Sequence, residues 1–201
     1  MTHSIEFLFD FGSPNAWFVH RAIPATEAAA GVRFSYTPVL LGGIFKAIGN
    51  QSPMQSYGHI QAKRDYDMLE MRRFMDRHAI TGFRMNPHFP VNTLLAMRGA
   101  IAAEALGCAP AYIEAIFAAM WEQGLKMDDP EVWAGALASA GLDAAALGAM
   151  AQDPEIKARL VANTDAAVAR GVFGIPTFFL GDEMWFGKDR LRDVVEAAIG
   201  A

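Results

Sequence analysis

The sequence predicts an α/β chain built on one sheet whose two halves lie at opposite ends of the polypeptide, separated by a long helical insertion. Three observations carry this. A strand, a helix and a second strand fit within residues 5–37, the scale of a βαβ unit with parallel strands. Two short strands and an amphipathic helix close the chain after Gly174. Between Ile44 and Arg170 no strand pattern appears, only helical periodicity. Residues 1–43 and 171–201 are therefore expected to form one sheet domain, with 44–170 as a helical insertion domain.

Ile5 to Phe9 is apolar on both faces, which places this strand in the middle of a sheet. Gly12 allows a tight turn. Ser13 and Pro14 then read as N-cap and first residue of a helix, because a serine hydroxyl accepts a free amide of the first turn and proline needs no donor there. That helix carries Pro24 inside it and ends at Gly31. Val32 to Thr37 alternates as a second strand. Helical patterns follow over Gln61–His78, Leu94–Leu106 and Ala111–Gln123, then after the Asp129-Pro130 and Asp153-Pro154 caps, with a short helix over Ala144–Met150. Thr177–Leu180 and Met184–Phe186 read as a hairpin across Gly181-Asp182-Glu183. Leu191, Val194, Val195, Ala198 and Ile199 form the apolar stripe of a final helix.

Composition narrows the function. A net charge of −5 gives no electrostatic reason to expect nucleic acid or an anionic membrane as partner. A single cysteine, Cys108, excludes an intramolecular disulfide and a Cys-x-x-Cys pair. The segment Met1–Glu6 lacks the basic and apolar regions of a signal peptide, and no apolar run reaches the roughly 20 residues of a membrane span. A cytoplasmic protein is the expectation. His3, His20, His59, His78 and His88 show no metal-ligand spacing, so no metal is expected.

Two stretches could carry chemistry. Phe9 to Trp17 puts Ser13 at a helix N-terminus, where free N–H groups and positive partial charge favour an anion; the alternative is that Ser13 is only a cap. Gly174-Ile175-Pro176-Thr177 puts a proline directly before a strand. Together these halves resemble the thioredoxin superfamily, in which that proline is cis and faces the start of the first helix. The helical insertion resembles the DsbA-like branch, with Ser13 standing where a redox cysteine would be. Phe9-Asp10-Phe11-Gly12-Ser13-Pro14, Lys46-Ala47-Ile48-Gly49-Asn50 and the run from Val172 to Leu191 are similar to the 2-hydroxychromene-2-carboxylate isomerase and kappa-class glutathione transferase family.

The resemblance implies a glutathione site. Ser13 would face the glutathione sulfur and Pro176 would be the cis proline that leaves the backbone of Ile175 free to pair with the tripeptide. Gly187, Lys188 and Asp189 would hold the γ-glutamyl end, with Asp189 on its ammonium, Phe186 and Asn50 also contacting the cofactor and Lys46 binding a substrate carboxylate. The sequence has Lys188 where the family pattern has Asn, and Phe186 in place of a tryptophan, departures that bear on the acceptor. The implied reaction is cis–trans isomerisation of a small aromatic-derived carboxylate, by addition of the glutathione thiolate, bond rotation and elimination. A homodimer is implied as well. Two other readings stay open: a kappa-type transferase or peroxidase using the same cofactor, and a non-catalytic thioredoxin-like binding module. The missing cysteines exclude a disulfide oxidoreductase.

Overall fold

The structure, a computed structural model, describes residues 4–200; His3 lies outside them. A four-stranded sheet has the order β2-β1-β3-β4, from β1 (Ser4–Phe9), β2 (Arg33–Pro38), β3 (Thr177–Leu180) and β4 (Glu183–Phe186). β1 pairs parallel with β2 and antiparallel with β3, and β3 and β4 form the hairpin. The apolar β1 is thus an interior strand, as its pattern requires. Helix α1 (Pro14–Ala30) makes the crossover and runs on through Pro24, whose missing N–H leaves the His20 carbonyl without its helical donor. Helices α2 (Leu41–Ile48), α3 (Pro53–Tyr57), α4 (Gln61–Arg77), α5 (Leu94–Ala105), α6 (Ala109–Trp121), α7 (Pro130–Ser139), α8 (Ala144–Met150) and α9 (Pro154–Ala169) separate the halves. A 3-10 turn (Lys188–Arg190) and α10 (Leu191–Gly200) end the chain. Among the described residues, 44–170 holds no strand.

Aromatic side chains set the register across the sheet. Phe7 lies opposite Tyr36 on β2 and Phe178 on β3, with ring centroids 5.0 and 5.6 Å away. Phe9, two residues on and on the same face, meets Phe11 and α6 Phe117 at 5.3 and 5.9 Å. Phe7, Phe9, Phe11, Phe117 and Phe178 are fully buried, each a gain of roughly 1.5–3 kcal/mol from area alone. A one-residue slip of β1 would turn Glu6 and Leu8 into this row, so the register is strongly specified.

The helical block is tied to α1 by polar groups. His20 Nδ1 lies 2.9 Å from the Tyr36 hydroxyl and its Nε2 3.1 Å from α6 Glu114, which also accepts from Arg21 at 2.6 Å. Arg21 bonds Glu122 as well, and Glu122 accepts from the Trp17 indole. The bonds from His20 and Arg21 hold the Glu114 carboxyl down at about 2. A carboxylate held below its unfolded value of 4.5 stabilises the fold above that value and loses the effect as pH falls from about 4.5 to about 2. Glu114→Gln should therefore flatten this part of the acid-unfolding profile and lower stability at neutral pH by about 1 kcal/mol or less, the scale of a half-exposed pair. Urea midpoints for both proteins across the acid range would check it.

Candidate functional site

The site is built on the turn between β1 and α1, where almost every polar group is paired. Ser13 N–H donates to the Asp10 carbonyl at 3.0 Å. Ser13 is extended (φ −98°, ψ 113°) and its Oγ accepts from Ala16 N–H at 3.2 Å, with Pro14 in the first turn, so it does cap α1. Its hydroxyl also reaches across the fold and donates to the Ile175 carbonyl at 3.1 Å. Phe11 is held from the helical block: its N–H donates to Met97 Sδ at 3.5 Å and its carbonyl accepts from Trp121 Nε1 at 2.8 Å.

Behind the turn lies Asp10, 1% exposed. One carboxylate oxygen accepts from Gly12 N–H at 2.8 Å and the other from Leu41 N–H at 2.7 Å, with Thr93 packed beside the turn. Burial pushes its carboxyl pKa above the usual range, and these donors pull it only part of the way back. Gly12 is tight for a side chain: a Cβ there would lie 3.3 Å from both Asp10 Oδ1 and Thr93 Cγ2, so these neighbours would have to give by a few tenths of an ångström.

On the facing side, the Ile175–Pro176 peptide is cis. Its carbonyl side is taken by Ser13, while among the described residues no acceptor meets the Ile175 N–H. The Pro176 carbonyl accepts from Gly187 N–H at 2.9 Å, and Gly187 takes φ +95°, a conformation natural only to glycine. Lys188 comes next and is almost wholly buried. Its Nζ donates to Asp189 Oδ1 at 2.6 Å and to the α4 Glu70 carbonyl at 3.4 Å, and lies 5.2 Å from the Phe74 ring centroid. The Asp189 side chain stays 54% exposed.

Ser13, Ile175, Pro176, Phe186, Gly187, Lys188 and Asp189 therefore form one strip joined by direct bonds and chain neighbours. Asn50 is attached to it, donating from Nδ2 to the Phe173 carbonyl at 2.9 Å. The Phe173 and Phe186 rings sit 4.5 Å apart, both more than two-fifths exposed, over Gly174, where a Cβ would meet Phe186 at 2.7 Å. Lys46 is exposed on α2, one turn before Asn50, and makes no ion pair among the described residues. Asn15, two residues past Ser13, keeps its amide oxygen buried and without a partner among the described residues.

Sequence reasoning passed over Asp10 and Met97, and gave Thr93 no contact with the turn. The signal for Asp10 was present: an acid closing a buried apolar strand is rare unless it is paired. Met97 lies within the Leu94–Leu106 helical run, where nothing local sets it apart.

A helix N-terminus bearing a polar side chain, facing a cis proline that opens a ββα half, defines a thioredoxin-like protein, and the chain belongs to the DsbA-like thioredoxin domain family, whose profile matches residues 4–198. Within that family it is 31% identical over 198 residues to a 2-hydroxychromene-2-carboxylate isomerase of Pseudomonas putida, covering 98% of this chain and 94% of the relative. Human glutathione S-transferase kappa 1 is 23% identical, with 96% and 89% covered. A solved 2-hydroxychromene-2-carboxylate isomerase structure superposes with a TM-score of 0.82 at 30% identity, over 98% of this chain and 94% of that one.

Because Ser13 both caps α1 and bonds Ile175, Ser13→Ala should destabilise the protein by about 1–2 kcal/mol, the typical cost of a lost cap. Ser13→Thr should recover most of this loss in urea denaturation.

Proposed function

We propose that this chain is a glutathione-dependent cis–trans isomerase for ring-opened aromatic carboxylates of the 2-hydroxychromene-2-carboxylate type. The observation that carries this reading is the 3.1 Å bond between the Ser13 hydroxyl, at the N-terminus of α1, and the Ile175 carbonyl of the cis-proline loop. It brings an anion-favouring helix end and a peptide-pairing backbone to one place.

The residues present fit glutathione. The unpartnered Ile175 N–H and its carbonyl offer a donor and an acceptor to a peptide backbone. The exposed Asp189 carboxylate suits an α-ammonium in a charge-assisted bond. Lys188 serves that contact from behind: its buried ammonium holds Asp189 Oδ1, and Oδ2 accepts no bond among the described residues. Gly187 keeps the backbone bare at this point, Phe186 and Phe173 wall the strip, and Asn50 fixes that wall to α2.

When bound, glutathione supplies a thiolate that adds to the conjugated acceptor and is expelled after rotation, so it is regenerated in each cycle. The work of the chain is to hold charge. Ser13 has one hydroxyl proton, donated to Ile175 in this structure. Turning that proton to the sulfur exchanges a neutral hydrogen bond for a stronger charge-assisted one. The Ile175 carbonyl is then free to accept from the tripeptide backbone. The N-terminal amides of α1 add positive potential, which favours thiolate over thiol. Lys46 supplies the charge for the acceptor carboxylate. The reading extends to a cytoplasmic homodimer. It is supported by the single cysteine and the family resemblance; no described helix is long and apolar enough to cross a membrane.

A kappa-type transferase is the second reading, favoured by the human relative, because the same residues would hold the cofactor. Calorimetry should show saturable glutathione binding to the wild type below millimolar concentration; no heat at that concentration would leave only a non-catalytic module. Asp189→Asn should weaken binding about tenfold or more. Ser13→Ala should raise the pKa of the bound thiol towards its free value of about 8.5, read from thiolate absorbance against pH. Conversion of 2-hydroxychromene-2-carboxylate with catalytic glutathione supports the isomerase, whereas stoichiometric consumption supports the transferase.

A further inference from the structure

Asp10 lies directly behind the Ser13 turn, and the chemistry proposed above makes no use of it. Its two oxygens serve different elements. Oδ1 holds Gly12 N–H at 2.8 Å, inside the turn that carries Ser13. Oδ2 holds Leu41 N–H at 2.7 Å, the first residue of α2. That helix has no cap of its own: Leu40 stands at the N-cap with no side-chain acceptor, and its N–H is taken by Thr164 Oγ1 at 3.0 Å. A carboxylate 31 residues away in sequence therefore caps α2, with the sign of charge that a helix N-terminus favours.

The other end of α2 carries Lys46 and leads into Asn50, itself anchored to the Phe173 carbonyl. α5 closes the junction. Thr93 is its N-cap residue but makes no cap bond among the described residues, and its methyl presses on the space above Gly12, next to Asp10 Oδ1. The turn, α2 and α5 thus meet at one buried carboxylate.

We propose that Asp10 is a positioning residue that couples the thiol-holding turn to α2 and so sets the separation between Ser13 and Lys46. This rests on the glutathione reading, in which one of those groups acts on the thiol and the other on the acceptor carboxylate. A reaction that needs both at a fixed distance is sensitive to shifts of about 1 Å.

Two variants of the full chain test it, with chromane-2-carboxylate as an unreactive bicyclic carboxylate probe. Asp10→Asn keeps the volume but offers one acceptor oxygen in place of two. Leu41→Pro leaves Asp10 intact and deletes the N–H it caps. Proline suits a first helical position, and Leu40 is already extended (φ −96°, ψ 107°), as a residue before proline should be. In calorimetry both variants should weaken probe binding about fivefold or more. Glutathione affinity, set at Ile175 and Asp189, should stay within about threefold. In a Lys46→Ala background neither variant should lower probe affinity further by more than about twofold, since the separation matters only while Lys46 is present.

Equal losses with and without Lys46 would reduce Asp10 to a general stabiliser and overturn the proposal. So would unchanged probe binding in both variants, or no probe binding by the wild type. Should Asp10→Asn fail to fold, Leu41→Pro decides alone. Failure of the wild type to bind glutathione would sink the parent reading, and is measured independently of these ratios.

Discussion

One buried carboxylate holds the architecture of the site in place. Taking an ionised group out of water is costly, and Asp10 is tolerated at the end of β1 because backbone donors from the turn and from α2 converge on its two oxygens. The arrangement also relieves the donors. Leu41 N–H would otherwise be an orphan at a helix start, and Gly12 N–H an orphan in a tight turn. Partners that satisfy each other in a dry interior resist displacement, so the strand end, the turn and α2 move as one body.

Against that frame Ser13 has two duties that the same atom can perform. Its lone pair caps α1 and its proton is available to whatever acceptor lies across the groove. A cap alone would need only the lone pair. Proximity to the cis-proline loop, with the neighbouring Ile175 N–H unpartnered among the described residues, distinguishes this serine from an ordinary one. No single feature of the turn is unusual; their coincidence is.

Much of this was legible in the sequence, for reasons that can be stated. β1 read as central because its apolar run has no wet face, and the closing hairpin read correctly because Gly181-Asp182 punctuates two short apolar strands. Ser13-Pro14, Asp129-Pro130 and Asp153-Pro154 all cap helices as written, since cap and helix are adjacent in the chain. α2 was illegible for the converse reason. Leu40-Leu41-Gly42-Gly43 carries no local start signal, and two glycines argue against a helix; its caps come from Asp10 and Thr164, which no window around residue 41 contains. The inward course of Lys188 was hidden likewise. The family resemblance reads Lys188 as a ligand of the γ-glutamyl end, whereas its side chain turns inward to the Glu70 carbonyl and the Phe74 ring of α4, contacts that no local pattern announces.

That buried lysine binds two positions into a single unit of change. Lys188 balances its charge on Asp189 and gives its remaining contacts to the Glu70 carbonyl and the Phe74 face. Exchange of Asp189 alone would strand a cation in an apolar seam, and exchange of Lys188 alone would loosen α4 while handing the whole aspartate to incoming ligand. The two sites can drift only in concert, so any alteration in how this groove grips an amino-acid end is inherited together with an alteration in how the helical block is fastened to the sheet.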